Sequence, residues 1–218
     1  MPKARQPARP DAALEVEATI DLLLSKNPER KLRGIRQLRH PFSAPAIQEL
    51  VQVSRHSHLL FKVAAKSELD TLDVRFRKQI HKIRENLQKK PEYPGYQLAL
   101  SVVFLRYSQI WPHSPENRTY FLNQSLTMLN RLIRLVRPEL KYFYYRGFVR
   151  KEIGDFRSAV SDFRKVLHFK PGHWGAFLGL LECLFELGEF NKIQMVIQYW
   201  PGQIRHPYPK DLLKTWTG

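Results

Sequence analysis

The chain has 218 residues, 43% of them hydrophobic, which is enough for one sizeable core or two small ones. Its formal net charge is +16, from 36 Lys and Arg against 20 Asp and Glu. This excess favours acidic partners, such as nucleic acid, an anionic membrane surface or an acidic protein. An intrachain disulfide is excluded because Cys183 is the only cysteine. No uncharged apolar run is long enough to predict a membrane span.

The N-terminal third of the chain predicts a tail followed by several helices. The first ten residues combine three prolines with three basic residues and no apolar pattern, which predicts a disordered basic tail. Apolar residues then recur at helical spacing, and Asp11 and Asn27 are typical caps of a helix N-terminus. A later helix begins near Leu59. A long apolar stripe from Glu68 to Lys89 predicts one long helix, which the following prolines end.

A basic, a small and a leucine residue recur in this region at one fixed spacing. The two occurrences are Lys31, Gly34 and Leu38, and 31 residues later Lys62, Ala65 and Leu69. This pattern resembles the short HEAT-like repeat, in which the small residue lets two helices cross and the basic residue lies on the helix surface. The resemblance implies helical hairpins in the N-terminal region.

The most specific pattern lies between Leu140 and Pro171, where two short helices are joined by a tight turn at Gly154-Asp155. Aromatic and small residues alternate along both helices, at Phe143, Gly147, Phe156, Ala159 and Phe163. Their order and spacing resemble a tetratricopeptide (TPR) repeat, with Pro171 at its closing position. The small residues of that family lie where two helices cross closely. Gly147 and Ala159 are therefore predicted to be buried at helix crossings.

Two further copies flank this one. The family's 34-residue period predicts a second copy through Trp174, Phe177, Gly188, Phe190, Ile193 and Ile197. Leu181 occupies its small position, so this copy is predicted to pack less closely. Upstream, residues 96–111 and 117–136 predict a degenerate third pair, joined by a longer turn at residues 112–115. One pair cannot bury its own apolar face, so neighbouring pairs are expected to stack.

These patterns predict an all-α protein whose helical pairs stack as an α-α superhelix, a TPR-like solenoid with HEAT-like N-terminal helical hairpins. The predicted blocks are residues 1–10, the basic tail; 11–90, the HEAT-like region ending in the long helix; 96–201, the TPR-like repeats; and 202–218, a C-terminal tail. The order of elements is also similar to the cytoplasmic part of the TPR subunit of Pel-type exopolysaccharide secretion systems. That resemblance implies assembly with other subunits of a secretion complex.

No catalytic or cofactor-binding motif is present in the sequence. There is no G-x-S-x-G, no glycine-rich phosphate loop and no cysteine pair for zinc. Cys183 lies in an apolar run, which predicts a buried structural thiol and not a nucleophile. The protein is therefore predicted not to be an enzyme, and to use no cofactor, metal or small-molecule substrate.

Two surfaces are candidate binding sites. The TPR resemblance implies that the first helix of each pair lines an inner groove, where aromatic residues supply burial and long charged residues supply register. The predicted groove residues are Lys141, Tyr144, Phe148, Lys151, Leu178, Glu182 and Phe185. For Phe148 and Phe185 the alternative is inter-repeat core. The second candidate is a basic face, which comprises Arg75, Lys78, Lys82, Arg131 and Arg134.

The leading functional hypothesis is a non-enzymatic scaffold or adaptor in a larger complex. Its groove would bind a protein partner through an acidic segment. One alternative is a nucleic-acid-binding helical-repeat protein that uses its basic surface, since Arg and Lys interleaved with Tyr and Phe suit single strands. The other is a cytoplasmic assembly subunit of an exopolysaccharide secretion complex. The predicted location is the cytoplasm, and in this last case the periphery of the inner membrane, whose anionic headgroups would attract the basic surface.

Overall fold

The computed structural model describes residues 21–37, 44–110, 114–135 and 138–200. These residues contain no strand, so the all-α prediction is confirmed. A helical stretch at residues 21–24 precedes the helices α1 Pro28–Gln37, α2 Ala44–His56, α3 Leu59–Lys89, α4 Pro94–Ser108, α5 Pro115–Leu135, α6 Leu140–Ile153, α7 Phe156–Phe169, α8 Trp174–Glu186 and α9 Phe190–Gln198. The predicted tails, the cap at Asp11 and turn residues 112–113 lie outside the described residues.

The chain divides into two compact units. The first comprises residues 1–81 and 106–118, and the second comprises residues 82–105 and 119–218. The predicted block boundary near residue 91 falls inside the second unit. The apolar stripe of α3 passes from one unit into the other without a glycine or proline to interrupt it. The blocks assigned from the sequence do not coincide with the two units and stay a prediction about how the chain is organised.

Small residues allow close helix approach in the first unit. The side-chain oxygen of Asn27 accepts hydrogen bonds from two backbone N–H groups in the first turn of α1, at 2.9 and 3.2 Å, which confirms the predicted cap. A Cβ added to Gly34 would lie 2.8 Å from the Cβ of Leu22 and 3.0 Å from backbone atoms. Ala65 of α3 is fully buried. Both small residues of the HEAT-like pattern thus occupy positions that a larger side chain would disturb.

A polar contact fixes α4 against α3 in the first unit. The Tyr107 hydroxyl donates a hydrogen bond to Asp73, and the Tyr107 ring stacks on Phe76 with centroids 5.4 Å apart. Arg77 forms an ion pair with the same Asp73 at 2.8 Å. Burial raises the pKa of Tyr107, so this hydroxyl stays protonated and remains a donor.

The second unit contains most of the helical pair α4–α5, and the sequence predicted this pair. Its buried side chains form one core with those of α6, namely Leu105, Leu122, Leu129, Leu132, Tyr142 and Val149. The buried hydroxyl of Ser125 donates to the backbone carbonyl of Ser101 at 2.8 Å, which satisfies a polar group inside this core.

The pair α6–α7 has the predicted turn and the predicted crossing. Gly154 adopts a left-handed conformation, with φ of 92°, that closes α6. Asp155 then caps α7 by accepting a hydrogen bond from the backbone N–H of Ser158 at 3.2 Å. Gly147 is buried, and a Cβ there would lie 2.8 Å from the Phe163 ring. Ala159 is also fully buried, so both crossing predictions are confirmed.

The same Phe163 ring also joins this pair to the next. A Cβ added to Gly179 of α8 would lie 2.6 Å from the ring, so Phe163 fits between one glycine of α6 and one of α8. The 34-residue period places Leu181 at the small position of α8, and Leu181 is buried in the core. The close approach between pairs therefore depends on Gly179, which that period does not single out.

Candidate functional site

Two rows of side chains run along α6 and α8, in the second unit. The Lys151 amine pairs with the Glu182 carboxylate. At the other end of the two rows, the Tyr144 hydroxyl lies against Gly175, where an added Cβ would collide with it. Both contacts join residues that are 31 apart in the chain. We call the surface formed by Tyr144, Phe148 and Lys151 of α6 with Leu178, Glu182 and Phe185 of α8 the α6–α8 face.

Tyr144 is held in place on this face by three neighbours. Its ring centroid lies 5.0 Å from Phe148 and 4.6 Å from His173, and its hydroxyl lies over Gly175. Burial, together with the neighbouring Tyr145, raises the pKa of Tyr144. Burial also lowers the pKa of His173, whose Nδ1 accepts a hydrogen bond from the Ala176 N–H at the start of α8. Tyr144 therefore contributes packing as well as surface.

Phe148 is half-buried and also packs into the interior. Its ring contacts Phe163 edge-on, with centroids 5.3 Å apart, and the Lys151 amine lies 5.2 Å from the Phe148 ring centroid. Phe148 borders the cores on both sides of α6. Leu178 is half-buried against the core between α7 and α8. These contacts favour the core alternative for Phe148, while its role in binding stays a prediction.

Phe185 is more exposed than the other apolar residues of the α6–α8 face. Half of its surface is exposed, and its ring contacts Phe190 of α9, which is itself 57% exposed, at a centroid distance of 5.8 Å. Glu182, which pairs with Lys151 of α6, lies one turn before Phe185 on the same face of α8. The two phenylalanines therefore form an exposed apolar patch beside an ion pair.

Lys141 occupies a separate place at the start of α6. Its amine pairs with Glu139 at 2.7 Å and lies 5.6 Å from the Tyr142 ring centroid. Burial and Glu139 raise the pKa of Tyr142 to about 12, so the Tyr142 hydroxyl remains a donor to Glu139. Both lysines of the predicted groove thus already have a carboxylate partner.

Sequence reasoning missed a buried ion-pair network next to this face. Asp162 of α7 is buried and accepts hydrogen bonds from Arg146 Nε at 2.9 Å, Arg146 Nη2 at 2.6 Å and Arg150 Nη1 at 2.7 Å. Arg146 Nη1 also donates to Asn130 of α5 at 3.0 Å. Asp162 follows Ala159 and precedes Val166 on the apolar stripe. An acidic residue in that position was the signal that a basic partner faces it.

The residues of the predicted basic face belong to two different units of the chain. Arg75 and Lys78 lie on the part of α3 that belongs to the first unit, where Arg75 is half-buried and Lys78 exposed. Lys82, Arg131 and Arg134 belong to the second unit and are exposed. The binding role of each stays a prediction.

The remaining candidate features are the Cys183 thiol, possible metal ligands and possible membrane-spanning helices. Cys183 is fully buried, and burial raises the pKa of its thiol to about 12, which agrees with the structural role predicted for it. Within the described residues, no group of three or more His, Cys, Asp and Glu side chains could hold a metal ion. No helix in that part of the chain is long and apolar enough to cross a membrane.

This arrangement of consecutive antiparallel helical pairs defines an α-helical repeat protein. A solved structure narrows the class. The crystal structure of a thermophilic TPR protein from Thermus thermophilus is similar with a TM-score of 0.53, over 95% of this chain and 97% of that chain, at 15% sequence identity. The chain therefore has a TPR-like helical-repeat fold. No family model and no curated protein matches the sequence, so the resemblance to Pel-type secretion subunits stays a prediction.

Proposed function

We propose that the protein is a non-enzymatic scaffold that binds an extended segment of a protein partner on its α6–α8 face. Its TPR-like fold is typical of proteins that mediate protein–protein interactions. The observation that carries the proposal is the exposure of Phe185. The other aromatic residues of the face, Tyr144 and Phe148, are packed against neighbouring rings, yet half of the Phe185 surface is left to solvent.

Apolar burial is the proposed source of affinity. Burial of an exposed aromatic side chain is worth roughly 25 cal/mol for each Å² removed from water, and a few such anchors dominate most interfaces. Phe190 enlarges the patch on the same side. We expect an apolar side chain of the partner to lie against both rings.

Charge is proposed to set orientation and not affinity. Lys141 pairs with Glu139 and Lys151 with Glu182, so neither amine offers an unshared charge to an acidic segment. An acidic group of the partner would have to compete with a glutamate for each lysine. Exposed pairs of this kind contribute little free energy, and the acidic-segment prediction gains no support from these contacts.

The test compares two exposed phenylalanines. A partner captured from the source cells after nuclease treatment would be purified, and its Kd measured for the wild type and for Phe185→Ala. We expect at least tenfold weaker binding, the loss typical of a central apolar anchor. Phe169→Ala is the matched control, because Phe169 is 64% exposed on α7 and lies outside the face. Truncation of Tyr144 is less informative, since its packing would change as well.

Full-strength binding by Phe185→Ala would refute the proposal. Equal losses in Phe185→Ala and Phe169→Ala would mean that the partner binds elsewhere or through nonspecific apolar contact. Unfolding midpoints of both variants, measured alongside, separate loss of binding from loss of folding.

A further inference from the structure

Charge is distributed unevenly between the two sides of the second unit. From Thr119 to Leu135, α5 has no acidic residue, and the one acidic residue of α7, Asp162, is buried beneath two arginines. Apart from Asp155 at the start of α7, exposed carboxylates of this region occur on α8 and at helix ends, at Glu139, Glu182 and Glu186. We call the side formed by Arg131 and Arg134 of α5 with Arg157, Arg164 and Lys165 of α7 the α5–α7 face. All five of these residues are exposed.

The two helices of this face lie side by side. Asn130 of α5 and Asp162 of α7 bind the same guanidinium, that of Arg146, at 3.0 and 2.6 Å. Arg131 and Arg134 follow Asn130 within about one turn, and Lys165 lies three residues after Asp162. The cations of α5 and α7 therefore lie on neighbouring helices. Two basic side chains oppose one carboxylate beneath that surface, so the network adds positive charge to it.

A small, largely apolar pocket adjoins the α5–α7 face, and three of its eight lining residues are aromatic. Arg164 lines it together with Phe177, Tyr199 and Trp200, and its volume is ≈ 230 Å³. The Phe177 and Trp200 rings pack against each other, with centroids 4.0 Å apart and planes tilted by 33°. Tyr199 is 73% exposed at the edge of the pocket. An apolar cavity of about 150 Å³ is enough for benzene, so the volume of this pocket is sufficient for one ring.

We propose that the α5–α7 face binds single-stranded nucleic acid, with phosphates on its arginines and one base against Tyr199 and Trp200. A row of cations next to aromatic rings is the arrangement that single strands require, since it serves both the backbone and the base faces. A bilayer surface would also attract the cations. However, the apolar part beside Arg164 is a concave pocket, which receives a ring and does not insert into lipid. The inference is independent of the protein-binding role proposed for the α6–α8 face.

The first experiment tests the phosphate contacts. Binding of a dye-labelled 20-nucleotide RNA to the full chain would be measured by fluorescence anisotropy over a salt series. The slope of log K against log salt is about −0.7 for each phosphate contact with a single strand, so Arg131→Gln/Arg134→Gln should flatten it by about 1.4. The control Lys66→Gln/Lys192→Gln removes the same charge from α3 and α9 and should leave the slope unchanged.

The second experiment tests the base contact. Tyr199→Ala should weaken binding of the RNA at least fivefold, because one stacking partner is lost. It should not weaken binding of an abasic strand of equal length. Tyr199 is mostly exposed, so this variant keeps the core intact.

Three outcomes would overturn the proposal. The first is absence of RNA binding at low salt. The second is an equal change of slope in the α5–α7 variant and its control, which would indicate diffuse attraction. The third is binding to vesicles of anionic lipid, weakened by Arg131→Gln/Arg134→Gln, under conditions where RNA does not bind.

Discussion

The helical pairs α6–α7 and α8–α9 follow one repeat pattern but differ in how fully they are packed. In α6–α7, a glycine meets an aromatic ring at the crossing, a buried ion-pair network joins the helices, and Asp155 caps α7. In α8–α9, the second helix has 9 residues, its N-cap residue Glu189 makes no side-chain cap hydrogen bond, and Ile193 is its one buried residue. The first pair has helices packed on both sides, whereas α9 is the last helix of the described residues.

This difference separates structural residues from binding residues. Phe163 is enclosed by helices on both sides, so its buried surface stabilises the fold and is not available to a partner. At Phe185 and Phe190 the same kind of residue stays exposed. The less completely packed pair therefore carries the exposed apolar part of the α6–α8 face, and α6 of the more completely packed pair supplies its packed part. The four predictions that follow test this division, from the largest expected effect to the smallest.

Replacement of Asp162 by Ala should have the largest effect, because it leaves Arg146 and Arg150 without their buried counter-charge. We expect the free energy of unfolding to fall by about 3–5 kcal/mol. Denaturant unfolding followed by circular dichroism measures it. Glu189→Ala removes a carboxylate from an exposed pair in α8–α9 and should cost at most about 1 kcal/mol. Similar losses for both would contradict the contrast between the two pairs.

Overpacking of the crossing should have the next largest effect. A side chain at Gly147 meets the Phe163 ring, so Gly147→Leu should lower the free energy of unfolding by about 1–3 kcal/mol. A Cβ at Gly172 has no atom within 4 Å, and Gly172→Leu should change stability by less than about 0.5 kcal/mol. An unchanged denaturation midpoint for Gly147→Leu would show that the crossing is misplaced.

The start of α8 should be sensitive to pH. The folded-state pKa of His173 is lowered from 6.5, chiefly by burial, and a protonated Nδ1 could no longer accept the Ala176 N–H. The stability from this cap is therefore fully present above about pH 6.5 and lost as the pH falls through the lower folded pKa. His173→Asn keeps an acceptor that does not titrate.

Wild type should lose about 1 kcal/mol relative to His173→Asn between pH 7.5 and 5, the value of one helix cap. Other titrating groups are common to both proteins and cancel in the difference. Parallel pH profiles for the two proteins would mean that the ring does not act as a cap.

The Lys151–Glu182 pair should have the smallest effect. Its side chains are 21% and 47% exposed, so a double-mutant cycle with Lys151→Gln and Glu182→Gln should give a coupling of about 0.2–1 kcal/mol that weakens with salt. This pair links α6 to α8 across the two repeats. A coupling of zero would show that it does not align the two helices in solution.

The sequence alone determined the features that depend on local interactions. The turn at Gly154-Asp155 requires only a left-handed residue followed by a cap, and both are visible as residue types at adjacent positions. The same holds for the cap at Asn27 and for the end of α3 at Lys89. The small residues Gly147 and Ala159 could be assigned to crossings because their spacing in the repeat specifies which helix faces them.

Only the tertiary structure decided which residues of equal type are buried and which are paired. Phe148 and Phe185 were both predicted to line the groove, but Phe148 borders two cores while half of the Phe185 surface is exposed. Lys141 and Lys151 look like unshared charges in the sequence, yet each has a glutamate beside it in the fold. The Arg146–Asp162 pair joins residues 16 apart on different helices. Burial and pairing depend on distances between helices, and helical periodicity specifies only the direction in which a side chain points.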